Sequence, residues 1–311
     1  MSWVVFLAPA DLGEAVLASG AVAHALRDPG DTLTIVGSPE VATLFRAAPA
    51  ARIVMAKNLP LQFAVSARLQ PARCDVLVDG LAGLAGRIIP AHVRIKLGEA
   101  PVLQHRVEAW AEAAGAARPL APRIWLDAAA RQAAAAATPG AGPLLALAPG
   151  GVEADKRWPA ERFAAVARRL SSGPLAGAEV VVLGAAVRDA PIAREIVSSL
   201  DADGVIARDL GTGLDLLACA ALLERATLCI GNDNALTHLA AAMGAPTLTL
   251  FGPTDERIRA PFGPRARTLR GRSLDRIAAS PALDAGAAMG DINIDAVESA
   301  ALDLLRAGGL K

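Results

Sequence analysis

The sequence predicts an α/β protein of two halves, each built on a parallel sheet, and three observations carry that prediction. The chain has 311 residues, more than one compact core readily organises and enough for two. Short β-branched or apolar runs recur along it, each followed by a loop bearing Gly, Pro or Asp and then by an Ala/Leu-rich stretch with helical spacing. That alternation specifies βαβ units, whose strands run parallel. Near the middle, the run TPGAGP at Thr138–Pro143 interrupts both periodicities.

In the first half the pattern predicts strands at Val4–Leu7, Leu33–Val36, Ile53–Met55, Val76–Val78 and Val93–Ile95. Helices are expected near Glu14–Leu26, Pro39–Ala47 and Arg106–Ala114. The low-complexity stretch Ala128–Ala137 favours helix and leads into the linker. In the second half strands are predicted at Leu144–Ala148, Val180–Leu183, Leu228–Ile230 and Thr247–Leu250. Helices are expected near Ala160–Leu170, Ile192–Leu200, Leu214–Glu224 and Thr237–Met243. An amphipathic stretch, Asp295–Arg306, follows a turn-rich region at Ser280–Gly290. The expected domains are thus 1–138 and 144–290, with a closing helical segment at 291–311.

Charge and cysteine usage narrow the function classes. Thirty-one Lys and Arg balance 31 Asp and Glu, so no global field draws the chain to nucleic acid or an anionic membrane, and any anion must be bound locally. Cys74, Cys219 and Cys229 lack the paired spacings of zinc sites or disulfide frameworks. They read as buried free thiols in a reducing cytosol. The N-terminal MSWVVFLAPADLGE has a short apolar run, no basic region and an early acid, and reads as a first buried strand rather than a secretory leader. A cytoplasmic protein is expected.

In open parallel sheets ligands bind beyond the carboxyl ends of strands, which singles out four loops. The first, Ala8–Glu14, places Asp11 and Glu14 where a helix begins; Asp11 suits an N-cap and Glu14 the first turn. It has neither the dinucleotide glycine spacing nor a Walker Gly-Lys-Ser/Thr. The second, Ala148–Pro159, carries Gly150, Gly151, Lys156 and Arg157 into a helix start. This composition suits a diphosphate cradle, and equally a turn with solvated cations. The third, Gly231–His238, crowds Asn232, Asp233, Asn234 and Thr237 into one strand-to-helix turn, more polar groups than capping requires. His238 fits a satisfied buried imidazole better than a catalyst. The fourth, Phe251–Asp255, could close over a base or a phosphate, or be a plain turn.

In this order and at these separations the loops resemble glycosyltransferase family 9, the ADP-heptose:lipopolysaccharide heptosyltransferases, over nearly the whole chain. The family's proline-glycine turn with Lys-x-Trp-Pro and a Glu-Arg-Phe helix stands here as PGG followed by KRWPAERFAAVARRL. Its later signature stands as GNDNALTHLAAAMGAPTLTLFGPTD, with Asn234 and Ala235 where the family has serine and glycine. The resemblance implies the GT-B fold: two facing Rossmann-like domains, the donor in the C-terminal one, the acceptor against the N-terminal one, and a C-terminal helix packing back on the N-terminal domain.

Carried over by position, Lys156 looks like the lysine on donor phosphate and Asp233 like the aspartate on the donor sugar. Gly150, Gly151, Asn232, Asn234, Thr237 and His238 fall in the same donor-binding elements. Glu14 stands where the family has its catalytic aspartate, with Asp11 as the alternative carboxylate. The activity so implied is an inverting, metal-independent transfer of a heptose or similar sugar from an ADP-sugar, with no cofactor besides that donor. The implied acceptor is a lipopolysaccharide-core or other lipid-linked saccharide, met at the inner face of the cytoplasmic membrane without nucleic acid as a partner. The basic stretch Arg87, Arg94, Lys96, His105 and Arg106 suits anionic lipid or sugar acids, and equally a solvated surface. Two other readings are a non-catalytic nucleotide-sugar- or glycan-binding relative and a nicotinamide oxidoreductase, the latter opposed by the missing glycine fingerprint.

Overall fold

The computed structural model describes residues 1–55, 73–81, 84–97, 103–279 and 287–309. The chain separates into two compact units, Met1–Asp127 with Arg257–Arg259, and Ala128–Glu256 with Ala260–Lys311.

In the first unit the elements run β1 (Trp3–Leu7), α1 (Leu12–Ala25), β2 (Thr32–Gly37), α2 (Pro39–Phe45), β3 (Ala51–Met55), β4 (Cys74–Asp79), α3 (Leu84–Ile88), β5 (Ala91–Lys96) and α4 (Arg106–Ala113). The strands pair in parallel in the order β3-β2-β1-β4-β5. β1 is central because Val4–Leu7 are apolar without interruption and can be buried on both faces. Asp31 closes the β1 end of the sheet, its carboxylate accepting the backbone N–H groups of Ser2, Arg27 and Asp28 at 2.6, 2.8 and 2.9 Å. The order reverses between β1 and β4, which puts the loop carrying Asp11 at this sheet's switch point.

The second unit begins with α5 (Ala128–Ala137) and continues β6 (Leu144–Ala148), α6 (Ala160–Ser172), β7 (Glu179–Leu183), α7 (Ala190–Ala202), β8 (Ala207–Gly211), α8 (Leu216–Glu224), β9 (Leu228–Asn232), α9 (Ala235–Ala242) and β10 (Thr247–Phe251). After it come α10 (Glu256–Arg259), of which Arg257–Arg259 group with the first unit, and then β11 (Ala266–Arg270), α11 (Leu274–Ala279) and α12 (Ile294–Ala307). Its parallel sheet has the order β11-β10-β9-β6-β7-β8, with the reversal between β6 and β9. One face packs Leu145, Leu147, Val180, Val182, Leu228, Ile230, Leu248 and Leu250 against Trp158, Phe163 and Leu170 of the α6 region.

Several features depart from the sequence expectations, among them the short helices α3, α10 and α11, which were not anticipated. The first domain was expected to run to residue 138, yet α5 belongs to the second unit. Its small residues Ala130 and Ala134 are buried where it packs against α8, and Arg131 pairs with Glu224 beside them. The closing helix was expected to pack back on the N-terminal domain. Its buried face, Val297, Ala301, Leu304 and Leu305, instead joins the core of the second unit, and Arg169 of α6 bonds both Asp295 and Glu298 at 2.7 Å. Strands β8 and β11 were not anticipated. Both are edge strands with exposed centres (ARDLG and ARTLR), where charge protects an unpaired edge and erases the apolar signal. Residues 280–286 of the expected turn-rich region lie outside the described residues.

Candidate donor site

The switch point of the second sheet brings together the loops that follow β6 and β9. β6 ends at Ala148 and the chain turns through Pro149, Gly150 and Gly151. Each carbonyl of this turn is bonded by a side chain. Asn234 Nδ2 donates to Ala148 O at 2.9 Å and to Gly150 O at 3.0 Å. Asn232 Nδ2 donates to Pro149 O at 2.6 Å, and the Arg157 guanidinium donates twice to Gly151 O, at 2.9 and 2.7 Å. The turn therefore has its carbonyls committed to the protein.

Close approach explains the glycines. A Cβ on Gly150 would lie 2.6 Å from Asp189 Oδ2, and one on Gly231 would lie 2.7 Å from Ala148 O. Asp189 is buried and cannot yield, because its Oδ2 accepts the N–H groups of Ala185 and Ala186 at 3.1 Å. Sequence reading missed Asp189; an acid in a polar loop gives no sign that it lies beneath the glycine turn.

Lys156 ends a short 3₁₀ turn, Ala154–Lys156, whose geometry is fixed from both sides. Asn232 Oδ1 accepts the Trp158 N–H at 3.2 Å, and the Trp158 indole donates to Ile292 O at 2.9 Å. Trp158 is itself buried edge-on to Phe163, ring centroids 5.0 Å apart. Gly252 allows the Asp155 carbonyl to approach to 3.0 Å of where a Cβ would stand. The Lys156 ammonium lies 3.0 Å from Glu153 Oε2.

Four residues predicted as donor contacts have other positions in this network. Asn232 is fully buried and its amide is used in tying β9 to the turn. Asn234 is the N-cap of α9, its Oδ1 accepting Leu236 N–H at 2.9 Å and Thr237 N–H at 3.3 Å. The buried Thr237 hydroxyl lies 2.8 Å from Asn234 O. These three hold the site's shape, because their polar groups are consumed within the protein. His238 is buried as expected but not satisfied: neither ring nitrogen has a hydrogen-bond partner. Asp233 Oδ2 accepts the Thr254 hydroxyl at 2.8 Å, which brings in the loop after β10.

The first unit's loop follows its prediction. Asp11 caps α1, accepting the Glu14 N–H at 2.9 Å, with its side chain about half exposed. The Glu14 carboxylate is more enclosed and lies 3.5 Å from Arg106 Nε and 3.7 Å from the Nε of Arg259, one of the three residues grouped with this unit. Of the basic stretch, Arg106 meets Glu14 and Arg94 bonds the carbonyls of Gly86 and Ile89.

Two doubly wound parallel-sheet units are the parts of the GT-B fold, and solved structures carry the same fold. An E. coli ADP-heptose LPS heptosyltransferase II superposes with a TM-score of 0.78 at 17% identity, covering 99% of each chain. E. coli heptosyltransferase WaaC, solved with ADP, gives 0.72 at 19% identity over 97% of this chain and 99% of its own. The model of glycosyltransferase family 9 (heptosyltransferase) matches residues 87–282, and the chain belongs to that family. Lipopolysaccharide heptosyltransferase 2 of Salmonella typhimurium is 30% identical over 130 residues, 41% of this chain and 36% of that protein. The match thus spans little more than a third of the curated relative. Among the described residues no helix is long and apolar enough to cross a membrane.

Proposed function

We propose that the chain is an inverting glycosyltransferase that moves a heptose, or a closely similar sugar, from an ADP-sugar to a saccharide of the lipopolysaccharide core or a related glycan. One observation carries this reading: the turn Ala148–Gly151 has every carbonyl bonded inward. Such a turn suits an oxyanion and not a cation. The family relationship and a neighbour solved with ADP support reading that anion as a nucleoside diphosphate.

In the proposed reaction the Gly150–Gly151 turn and Lys156 take the diphosphate, releasing Lys156 from Glu153, and neutralise its charge as it departs. Asp233 accepts hydroxyls of the donor sugar. Glu14 receives the proton of the acceptor hydroxyl, which attacks the anomeric carbon and inverts it. Charge neutralisation on the departing diphosphate is assigned to Lys156 and the turn. The acceptor is proposed to be a lipid-linked saccharide reached from the cytoplasmic side of the membrane.

Calorimetry with ADP tests the carrying observation. Lys156→Ala should weaken binding by about 1.5–3 kcal/mol, the range for a hydrogen bond to a charged group, with or without EDTA. Unchanged affinity, or binding that requires Mg²⁺, overturns the assignment. Mass spectrometry of products from ADP-heptose and a core-saccharide extract tests the transfer, and the anomeric configuration of the product tests inversion.

A further inference from the structure

The two oxygens of the Glu14 carboxylate stand in different surroundings. Arg106 Nε lies 3.5 Å from Oε1, and Arg259 Nε lies 3.7 Å from the same oxygen. Arg106 opens α4 directly after its N-cap, His105, whose Nδ1 accepts the Val107 N–H at 3.2 Å. A cation is unfavourable at that end of a helix, where the first turn presents partial positive charge, so helix stability does not account for an arginine there. α4 packs along α1 with Val107, Trp110 and Ala111 buried, which fixes where the Arg106 stem begins. Arg106 Nε is shielded from water and has no hydrogen-bond partner, although buried donors are ordinarily satisfied. Its ion-pair partner among the described residues is Glu14.

We propose that Arg106 is a positioning residue that fixes the rotamer of Glu14 and divides the work of its two oxygens. Oε1 is the anchored oxygen, and Oε2 takes the proton of the acceptor hydroxyl. Closing the 3.5 Å gap to the roughly 2.9 Å of an N–H···O bond completes the anchor and satisfies Arg106 Nε. Glutamate is a long side chain that loses much rotamer freedom when ordered, and a base must stand within hydrogen-bond reach of the proton it abstracts. Without the anchor, Glu14 spends part of its time in rotamers that do not reach. Arg259 is shared, its terminal nitrogen lying 3.2 Å from Asp11 Oδ1, whereas Arg106 is directed to Glu14. The inference rests on the reading of Glu14 as the base.

Initial rates of transfer from ADP-heptose to the core-saccharide extract, with both concentrations varied, test it. Arg106→Met, which keeps the stem and removes the guanidinium, should lower kcat about tenfold, the effect of a modest misplacement of a reacting group. The acceptor KM and the affinity for ADP-heptose should stay unchanged. Arg106→Lys, which keeps the charge without the planar fork, should recover part of the loss. In a Glu14→Gln background Arg106→Met should cost nothing further, because it acts through that carboxylate. A raised acceptor KM, or a loss that persists in full beside Glu14→Gln, makes Arg106 a group that meets the acceptor itself and overturns the proposal. An unchanged kcat overturns it too. Should Arg106→Met fail to fold, Arg106→Gln takes its place with the same expectations. Glu14→Gln alone separates the two levels. Full turnover in that variant, or no transfer by the parent protein, removes the reading of Glu14 as base and the inference with it. Loss of turnover there, with Arg106→Met as fast as the parent, removes only the role of Arg106.

Discussion

Two carboxylates stand three residues apart at the start of α1, and the structure gives them different work. Asp11 is committed as N-cap, and asparagine caps about as well as aspartate. Glu14 lies inside the first turn with its carboxylate turned toward Arg106. Glu14→Gln is therefore expected to lower turnover about a hundredfold or more, the low end for general-base catalysis, with ADP affinity preserved, while Asp11→Asn costs little. Initial rates of the two variants with saturating donor decide between them; loss on Asp11→Asn alone would move the base to Asp11. Asp31 shows a structural use of the same group. The amides of Asp28 and Ser2, and to a lesser degree that of Arg27, hold its carboxyl below the ordinary value of 3.8, against the opposing effect of burial. The stabilisation is complete above that ordinary value and is lost as pH falls through the lowered folded one. Thermal melts should thus show Asp31→Asn less stable than the parent at neutral pH and converging with it in strong acid; a constant gap across the pH range would remove Asp31 from the acid response.

At the scale of elements, the proposed donor site depends on the loop after β6 being pressed onto its neighbours. Gly150→Ala would put a Cβ 2.6 Å from a carboxylate oxygen that two backbone amides hold in place. Accommodation should cost about 1–3 kcal/mol, as overpacking does, and displace the turn, so both melting temperature and ADP affinity should fall; a variant with parental affinity would show that the turn is not the anion site. The elements that build this site were legible in the sequence because their signals are local. Leu144–Ala148 is uniformly apolar and becomes the central β6, and the crowded GNDN turn announced something beyond capping. What was not legible depends on distant packing. Asp233 and Asn234 were both suitable caps, and only the approach of the Ala148 and Gly150 carbonyls decides for Asn234. Asn232 reads as a ligand until its amide is seen bonded to Pro149 and Trp158. The edge strands β8 and β11 carry charge in place of an apolar run, and α5 changes unit because alanines let it settle on α8.

At the scale of the whole molecule, the three cysteines report on the two units separately. Cys74 lies in β4 of the first unit, and Cys219 and Cys229 lie in α8 and β9 of the second. All are free and buried. Burial pushes the thiols of Cys219 and Cys229 up to about 12, and that of Cys74 in the same direction. At neutral pH each is therefore an un-ionised thiol shielded from reagent, and since the thiolate is the nucleophile, iodoacetamide should leave the native protein unlabelled. Labelling then requires unfolding of the surrounding element. Each unit has its own sheet and its own buried residues, the condition under which a domain unfolds as its own cooperative transition. Along a urea series read by peptide mass spectrometry, Cys219 and Cys229 should become reactive with one common midpoint and Cys74 with a different one. A single midpoint for all three would mean that the two units unfold as one body. Separate midpoints for Cys219 and Cys229 would mean that α8 detaches before the sheet of its unit opens, and the second unit would then not be one cooperative structure.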